Sequence, residues 1–305
     1  MGLAIISPGK NMDAWISNFQ SLDPSIPIQV YPDIQDPLSV EAALLWNHPP
    51  GILLEFPNLK LICSMGAGVD HILKDPQLPE HTPITRIVDE KLTWSMTNYV
   101  VMGVLNHHRQ LVRYQQQQRE KRWDMSSPEI EVSIGVLGVG ALGNDIVDKL
   151  SYMGFKVSGF GKSPKIMSYP YYFGSQLDDF LQQINVLVCM LPLTAETEGY
   201  LNLELFKKCN PGTYLINVAR GKHLNEQELL VALERGYISG ALLDVFHVEP
   251  LPSNHPFWEE ERIMMTPHIA SVTNPNAAAP QILENFRRMK MSQPLINQIN
   301  RIKGY

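Results

Sequence analysis

Cysteine is scarce in this chain of 305 residues, and its three copies, Cys63, Cys189 and Cys209, are scattered with no C-x-x-C pair among them. That spacing excludes a disulfide framework and the familiar zinc signatures, so no metal site is expected. Cys63 and Cys189 lie in apolar, strand-like runs, as core thiols do, which suits a reducing compartment. Long apolar runs are missing as well. The run around residues 184–193 falls far short of the roughly 20 residues of a membrane span. MGLAIISPGK has no basic segment leading into a long apolar stretch, so no signal peptide is expected, and the cytoplasm is the expected location. Positive charge is in deficit: 25 Lys and Arg face 31 Asp and Glu, a net charge of -6. Such a surface repels phosphate backbones and anionic lipids, so neither nucleic acid nor a membrane is an expected partner. One further absence is local. No Asp or Glu stands between Asp148 and Asp178, a span that contains SGFGKSP (158–164).

What is present is an ordinary globular balance, with 44% apolar and 18% charged residues. The length suits about two domains. GLAIIS (2–7), AALLW (42–46) and KLICSM (60–65) read as buried strands, each running into a turn. A long helix is expected from near Met96, with Tyr99, Val100, Val104, Leu111 and Val112 at helical spacing and the QQQQ tract (115–118) continuing it. A second strand series follows: VSIGVLG (132–138), KVSGF (156–160), INVLVCML (184–191), TYLINV (213–218), SGALLDV (239–245) and RIMMTP (262–267). Helices lie between them. NEQELLVALERG is one, with Asn225 as N-cap, Glu228 three residues on and Gly236 as the stop. Alternation of this kind predicts parallel sheets flanked by helices. Two Rossmann-like, doubly wound α/β domains are expected. Residues 1–98 and 271–305 would form one, discontinuous and flavodoxin-like, and the inserted residues 99–270 the other.

Gly138, Gly140 and Gly143 form GVGALG between an apolar run and the helical stretch NDIVDKL. The first glycine permits a tight turn, the second a close backbone approach to a pyrophosphate, and the third close helix–strand packing. Ala141 and Leu142 belong to the same cofactor-binding turn. The absence of a Gly-Lys-Ser/Thr ending disfavours a phosphate-loop NTPase. Nineteen residues past Gly143 lies Lys162, where a carboxylate would normally accept the adenosine ribose hydroxyls and repel a 2′-phosphate. Gly161 removes that repulsion, and Lys162 and Ser163 supply a cation and a hydroxyl, with Lys165 as a second charge nearby. The expected cofactor is NADP(H), with NAD(H) also usable. The alternative is a solvated loop whose lysines touch nothing.

Three further strings each follow a strand: NVARG carries Arg220, LDVFHVEPLP carries Glu249, and TPHIAS carries His268. Loops after parallel strands face the crevice where such sheets bind ligands. With GVGALG, LPLT, NVARG, LLDVFHVEP and TPHIAS in this order and spacing, the chain closely resembles the D-isomer-specific 2-hydroxyacid dehydrogenase family along essentially its whole length. LLWNHPP (44–50), SMGAGVDHIL and the MTNYV helix start resemble that family's glyoxylate/hydroxypyruvate reductase A subgroup.

The resemblance implies an active site in the cleft between domains. His268 is then the general acid, Glu249 orients and charges its imidazole, and Arg220 binds the substrate carboxylate and polarises its carbonyl. The amides of Ala67 and Gly68 receive that carboxylate. Trp46, with Met96 nearby, walls a small substrate pocket; the plainer reading of Trp46 is a core residue at a strand end. Asp244 holds the nicotinamide carboxamide, and Leu191, Pro192 and Ala219 border the dinucleotide. The implied reaction is reduction of a small 2-oxo acid, such as glyoxylate or hydroxypyruvate, to glycolate or D-glycerate. Alternatives are an NADH-linked enzyme for another 2-oxo acid such as phenylpyruvate, and a non-catalytic nucleotide-sensing scaffold. Relatives dimerise through the nucleotide domain, so a homodimer is expected. In two places the sequence departs from the family: Leu224-Asn225 stands where an acidic residue is common, and the YPYY stretch between Ser163 and Gln176 is unusual.

Overall fold

Runs such as AALL (42–45), IGVL (134–137) and VLVC (186–189) are apolar throughout because parallel strands are covered on both faces. A computed structural model describes residues 2–304 and divides them into two units, 2–92 with 272–304, and 93–271. The chain changes unit at Leu92/Thr93 and at Ser271/Val272, against the expected 98/99 and 270/271.

The first unit holds β1 (Gly2–Ile6), β2 (Ile28–Val30), β3 (Val40–Leu45), β4 (Leu61–Ser64) and β5 (Ile84–Thr85). They form a sheet of order β2-β1-β3-β4-β5 in which every pairing is parallel. Helix α1 (Asp13–Leu22) packs against the returning C-terminal helix Pro275–Lys290, and a short α2 (Asp70–Leu73) follows β4. β2 and β5 were not expected from the sequence.

Helix α3 (Glu90–His108) begins in the first unit and enters the second at Thr93, and α4 (Leu111–Arg119) follows it. The single long helix expected here is interrupted at Gln110, which adopts a left-handed backbone (φ 54°). Leu111 and Val112, expected on the buried stripe, therefore face outward. Then come β6 (Ser133–Leu137), α5 (Ala141–Tyr152), β7 (Lys156–Gly161), β8 (Tyr171–Phe173), α6 (Leu177–Leu181), β9 (Val186–Cys189), α7 (Leu203–Lys208), β10 (Thr213–Asn217), α8 (Glu226–Glu234), β11 (Ile238–Leu243) and β12 (Ile263–Met265). All seven strands are parallel, in the order β12-β11-β10-β9-β6-β7-β8.

Strand alternation splits the core of this unit between the two faces of its sheet. Val186 and Val188 join α3 and α5 through Val100, Val104, Ile146 and Leu150. Leu187 and Cys189 face Phe180, Phe206 and Leu229 on the other side. Burial pushes the Cys63 and Cys189 thiols up to about 12, so both stay protonated and act as packing groups. Asn225 caps α8 by accepting from the Glu228 amide. The Glu228 carboxylate does not return that bond but takes the Leu203 amide instead, tying α8 to the start of α7. The unusual YPYY stretch supplies β8, which closes the sheet edge beside β7.

Candidate active site

The order in which successive strands are laid down reverses in the second sheet between β6 and β9, and ligands of doubly wound sheets bind at such a switch point beyond the carboxyl strand ends. The GVGALG turn lies there. Gly138 has φ 94°, and a Cβ on it would sit 2.7 Å from the Met190 carbonyl oxygen and 2.9 Å from the Leu191 nitrogen. A Cβ on Gly143 would meet the Gly138 carbonyl at 2.2 Å, which is why α5 can press against the turn. No side chain caps the N-terminus of α5, which starts at Ala141 after Gly140. Its first-turn amides can therefore face a pyrophosphate, and the residues present fit a dinucleotide.

Lys162 and Ser163 are exposed just past β7. Lys162 is ion-paired with Glu196, its ammonium 2.6 and 2.8 Å from the two carboxylate oxygens. An exposed pair of this kind contributes about 0–1 kcal/mol, so a phosphate can displace it at little cost. Lys165 reaches back to the Val139 carbonyl at 2.8 Å. Gly161 has a reason beyond charge: a Cβ there would lie 2.3 Å from the Tyr171 hydroxyl, which donates to the Ser163 carbonyl.

Arg220, Glu249 and His268 follow β10, β11 and β12, three neighbouring parallel strands, and so emerge on one edge of one sheet. His268 Nδ1 lies 2.7 Å from Glu249 Oε2. A carboxylate only accepts, so Nδ1 carries the proton and donates, leaving Nε2 for a ligand. Glu249 Oε1 takes the Phe246 amide at 2.9 Å. Partial burial works to raise the Glu249 carboxyl. The hydrogen bonds from His268 and Phe246, with the charges of His268 and Arg220, outweigh it and hold the group below the usual carboxylate range. The pair thus has a fixed negative partner for an imidazolium. Both side chains are about one-third exposed, His268 at 31% and Glu249 at 35%, so a small ligand can reach the ring.

The Arg220 guanidinium donates to the Ala219 carbonyl at 2.7 Å, which restricts the fork before any substrate arrives. Asn217, fully buried at the end of β10, receives the Ala219 amide and donates to the Arg220 carbonyl. His223 was not singled out from the sequence. Its Nδ1 accepts from the Arg220 amide at 3.2 Å and its Nε2 donates to the Pro192 carbonyl at 3.2 Å. This fully buried ring therefore joins the Leu191–Pro192 loop to the Arg220 loop.

Asp244 follows β11 and is 1% exposed. Its carboxylate accepts from the Thr266 hydroxyl at 2.6 Å, the Ile269 amide at 2.8 Å and the Ala270 amide at 2.8 Å. Met96 packs in the apolar cluster that also holds Tyr99 and Ala270.

In the first unit, Trp46 follows β3 and is half-buried. Its ring lies 4.7 Å from the His71 ring, and the Lys10 ammonium sits 4.3 Å from its centroid. A Cβ on Gly66 would stand 3.2 Å from the indole, so Trp46 covers the start of the Gly66–Ala67–Gly68 turn. That turn is held by the Ser64 hydroxyl, which donates to the Gly68 carbonyl. Among the described residues, no protein acceptor takes the Ala67 or Gly68 amide. Successive free amides in a turn suit a carboxylate. Downstream of Trp46, buried Asp75 accepts from His48 and the amides of Gly51 and Gln77, fixing the loop.

Residues 101–270 match the family described as D-isomer specific 2-hydroxyacid dehydrogenase, NAD binding domain. A glyoxylate/hydroxypyruvate reductase A of Photorhabdus laumondii is 39% identical over 314 aligned residues, covering all of both chains. One from Yersinia enterocolitica is 36% identical with the same coverage. Among solved structures, a D-isomer specific 2-hydroxyacid dehydrogenase of Xanthobacter autotrophicus in complex with NADPH and MES superposes with a TM-score of 0.94 at 37% identity. That match covers 100% of this chain and 99% of the other. An NADPH-dependent glyoxylate/hydroxypyruvate reductase of Sinorhizobium meliloti, in complex with NADP and sulfate, also gives 0.94, at 32% identity over the whole of both chains.

Proposed function

Because the chain belongs to the D-isomer-specific 2-hydroxyacid dehydrogenase family, we propose that it reduces small 2-oxo acids, glyoxylate and hydroxypyruvate foremost, at the expense of NADPH. The observation that carries this reading is the 2.7 Å His268–Glu249 pair beside the Arg220 loop on neighbouring strand ends. When bound, the cofactor supplies a hydride to the carbonyl carbon. His268 Nε2 gives its proton to the carbonyl oxygen as that oxygen gains charge, so the product is the neutral hydroxyl. Glu249, 2.7 Å from Nδ1, aims the ring. Arg220 binds the carboxylate and stabilises the developing charge on oxygen. In the first unit, the Ala67 and Gly68 amides are the proposed donors to a carboxylate, and Trp46 is the proposed limit on substrate size. The names of the relatives and the NADP-bound neighbours support the substrate and cofactor choice.

The test is kcat/KM for NADPH and NADH across glyoxylate, hydroxypyruvate and phenylpyruvate. NADPH with the two small acids is expected to give the highest values. A preference for NADH or for phenylpyruvate would move the enzyme to another branch of the family. Lys162 and Ser163 are the proposed 2′-phosphate contacts. Lys162→Ala is expected to raise KM for NADPH about tenfold, a loss of ~1.4 kcal/mol, with KM for NADH little changed. Equal effects on both cofactors would return Lys162 to a solvated loop.

We also propose that a second copy of the chain covers the apolar face near α4. Trp123 is 90% and Met125 76% exposed, and Leu111 and Val112, at the start of α4, are exposed as well. Trp123 and Met125 also line, with Tyr114 and Gln117, a cavity of about 720 Å³. Arg113 braces the segment through the Asp124 carboxylate at 2.7 Å and the Ser126 carbonyl at 2.9 Å. Side chains this apolar and this exposed suit a partner surface. Trp123→Asp with Met125→Asp is expected to convert a dimer to a monomer in sedimentation analysis; an unchanged dimer would assign the interface elsewhere. The cytoplasm is the proposed location, which three unpaired thiols suit. Among the described residues no helix is long and apolar enough to cross a membrane.

A further inference from the structure

His268 has a left-handed backbone, φ 55°, an unfavourable state for a residue with a side chain. Something must hold it there. The His268 amide donates to the Asp244 carbonyl at 2.8 Å. The next two amides, of Ile269 and Ala270, donate to the two oxygens of the Asp244 carboxylate. Asp244 is itself anchored, its amide donating to the Asn217 carbonyl on β10 at 3.0 Å. The turn bearing the imidazole is thus wrapped around one buried carboxylate.

That carboxylate has a third donor, the Thr266 hydroxyl, and Thr266 in turn is hydrogen-bonded to the phenol of Tyr99 on α3. The direction of the chain follows from chemistry. A carboxylate only accepts, so Thr266 spends its proton on Asp244 and its oxygen must accept from Tyr99. Burial pushes the Tyr99 phenol up to about 12, so its proton stays available throughout the neutral range. Linked hydrogen bonds of this kind polarise one another.

We infer that Tyr99 and Thr266 are positioning residues for His268, acting through Asp244 to hold the 268–270 turn and so aim the imidazole. The Thr266 carbonyl shares the His268 amide with that of Asp244, at 3.0 Å, but among the described contacts neither the Tyr99 nor the Thr266 side chain bonds the imidazole or Glu249; the effect of the two hydroxyls passes through the backbone of the turn. The inference rests on the proposed role of His268 and extends it to a helix and a hydroxyl that the reaction itself does not use.

Tyr99→Phe, Thr266→Val and Thr266→Ser separate this from plain packing. Both Tyr99→Phe and Thr266→Val are expected to lower kcat roughly tenfold, because small misplacements of a reacting group are costly. KM for glyoxylate and the NADPH dissociation constant, read by fluorescence, are expected to stay within about twofold. Thr266→Ser, which keeps the hydroxyl, is expected to restore kcat. Unchanged kcat in Tyr99→Phe and Thr266→Val, a Ser variant as impaired as the Val variant, or a loss carried by NADPH affinity would each overturn the inference. Tyr99→Phe removes a single oxygen, so it remains a test if Thr266→Val does not fold. A second readout is independent of turnover. The His268 Nδ1–H proton, held by Glu249, is expected to give an imidazole NMR signal in wild type that broadens in Tyr99→Phe. If wild type shows no turnover with any 2-oxo acid, the functional reading fails, and this signal still decides the positioning role: an unaltered resonance would contradict it.

Discussion

Replacing His268 with alanine is expected to lower kcat for 2-oxo acid reduction by about 10²–10⁴-fold, the usual span for loss of a positioned general acid. The ring's Nδ1 is committed to Glu249 at 2.7 Å, which leaves one nitrogen, Nε2, for the substrate oxygen. Alanine removes that proton and leaves Glu249 as a half-buried carboxylate without its partner. NADPH binding is expected to persist, because the glycine turn and the residues after β7 lie on other strand ends of the sheet. Steady-state kinetics together with fluorescence titration of NADPH separates the two effects. Near wild-type turnover would remove His268 from the chemistry. A loss confined to NADPH affinity would make it a binding residue.

Arg220 carries the second large effect. Arg220→Gln is expected to reduce kcat/KM about 10³-fold, about 4 kcal/mol, shared between KM and kcat, since in the proposed role one guanidinium would serve carboxylate and carbonyl together. Lysine is not expected to rescue it. The fork is oriented by the Ala219 carbonyl, and the backbone behind it is fixed by Asn217 and His223. A lysine ammonium lacks the planar pair of donors that uses this frame. Recovery of most activity in Arg220→Lys would reduce the role of Arg220 to simple charge. Activity unchanged in Arg220→Gln would remove it from the site.

The parallel sheets were legible because their central strands carry apolar runs, as in AALL, IGVL and VLVC. The edges were not. β2, β5 and β8 have two or three residues each, too few to carry a period. The break at Gln110 was hidden for another reason: a glutamine in the left-handed region gives none of the signal that glycine or proline would. Arg220, Glu249 and His268 could be picked out because each sits in a distinctive string just after a strand. Several of the groups that hold them could not. Tyr99 and Thr266 are 167 residues apart, and His223 reaches a carbonyl 31 residues away. Nothing in a linear reading pairs a helix phenol with a threonine so distant. The Gly161 position was read through charge alone, whereas its contact with Tyr171 gives a steric reason that only packing reveals.

A bound dinucleotide is expected to be consumed here, and measuring binding and product on one preparation of wild-type protein tests this most directly. NADPH affinity is read by fluorescence, and the 2-hydroxy acid formed from glyoxylate or hydroxypyruvate is quantified against NADPH oxidised. The account predicts saturable NADPH binding and equal amounts of NADPH oxidised and hydroxy acid formed. Tight NADPH binding with no hydroxy acid from any small 2-oxo acid would contradict it, and would make this fold a nucleotide-responsive scaffold.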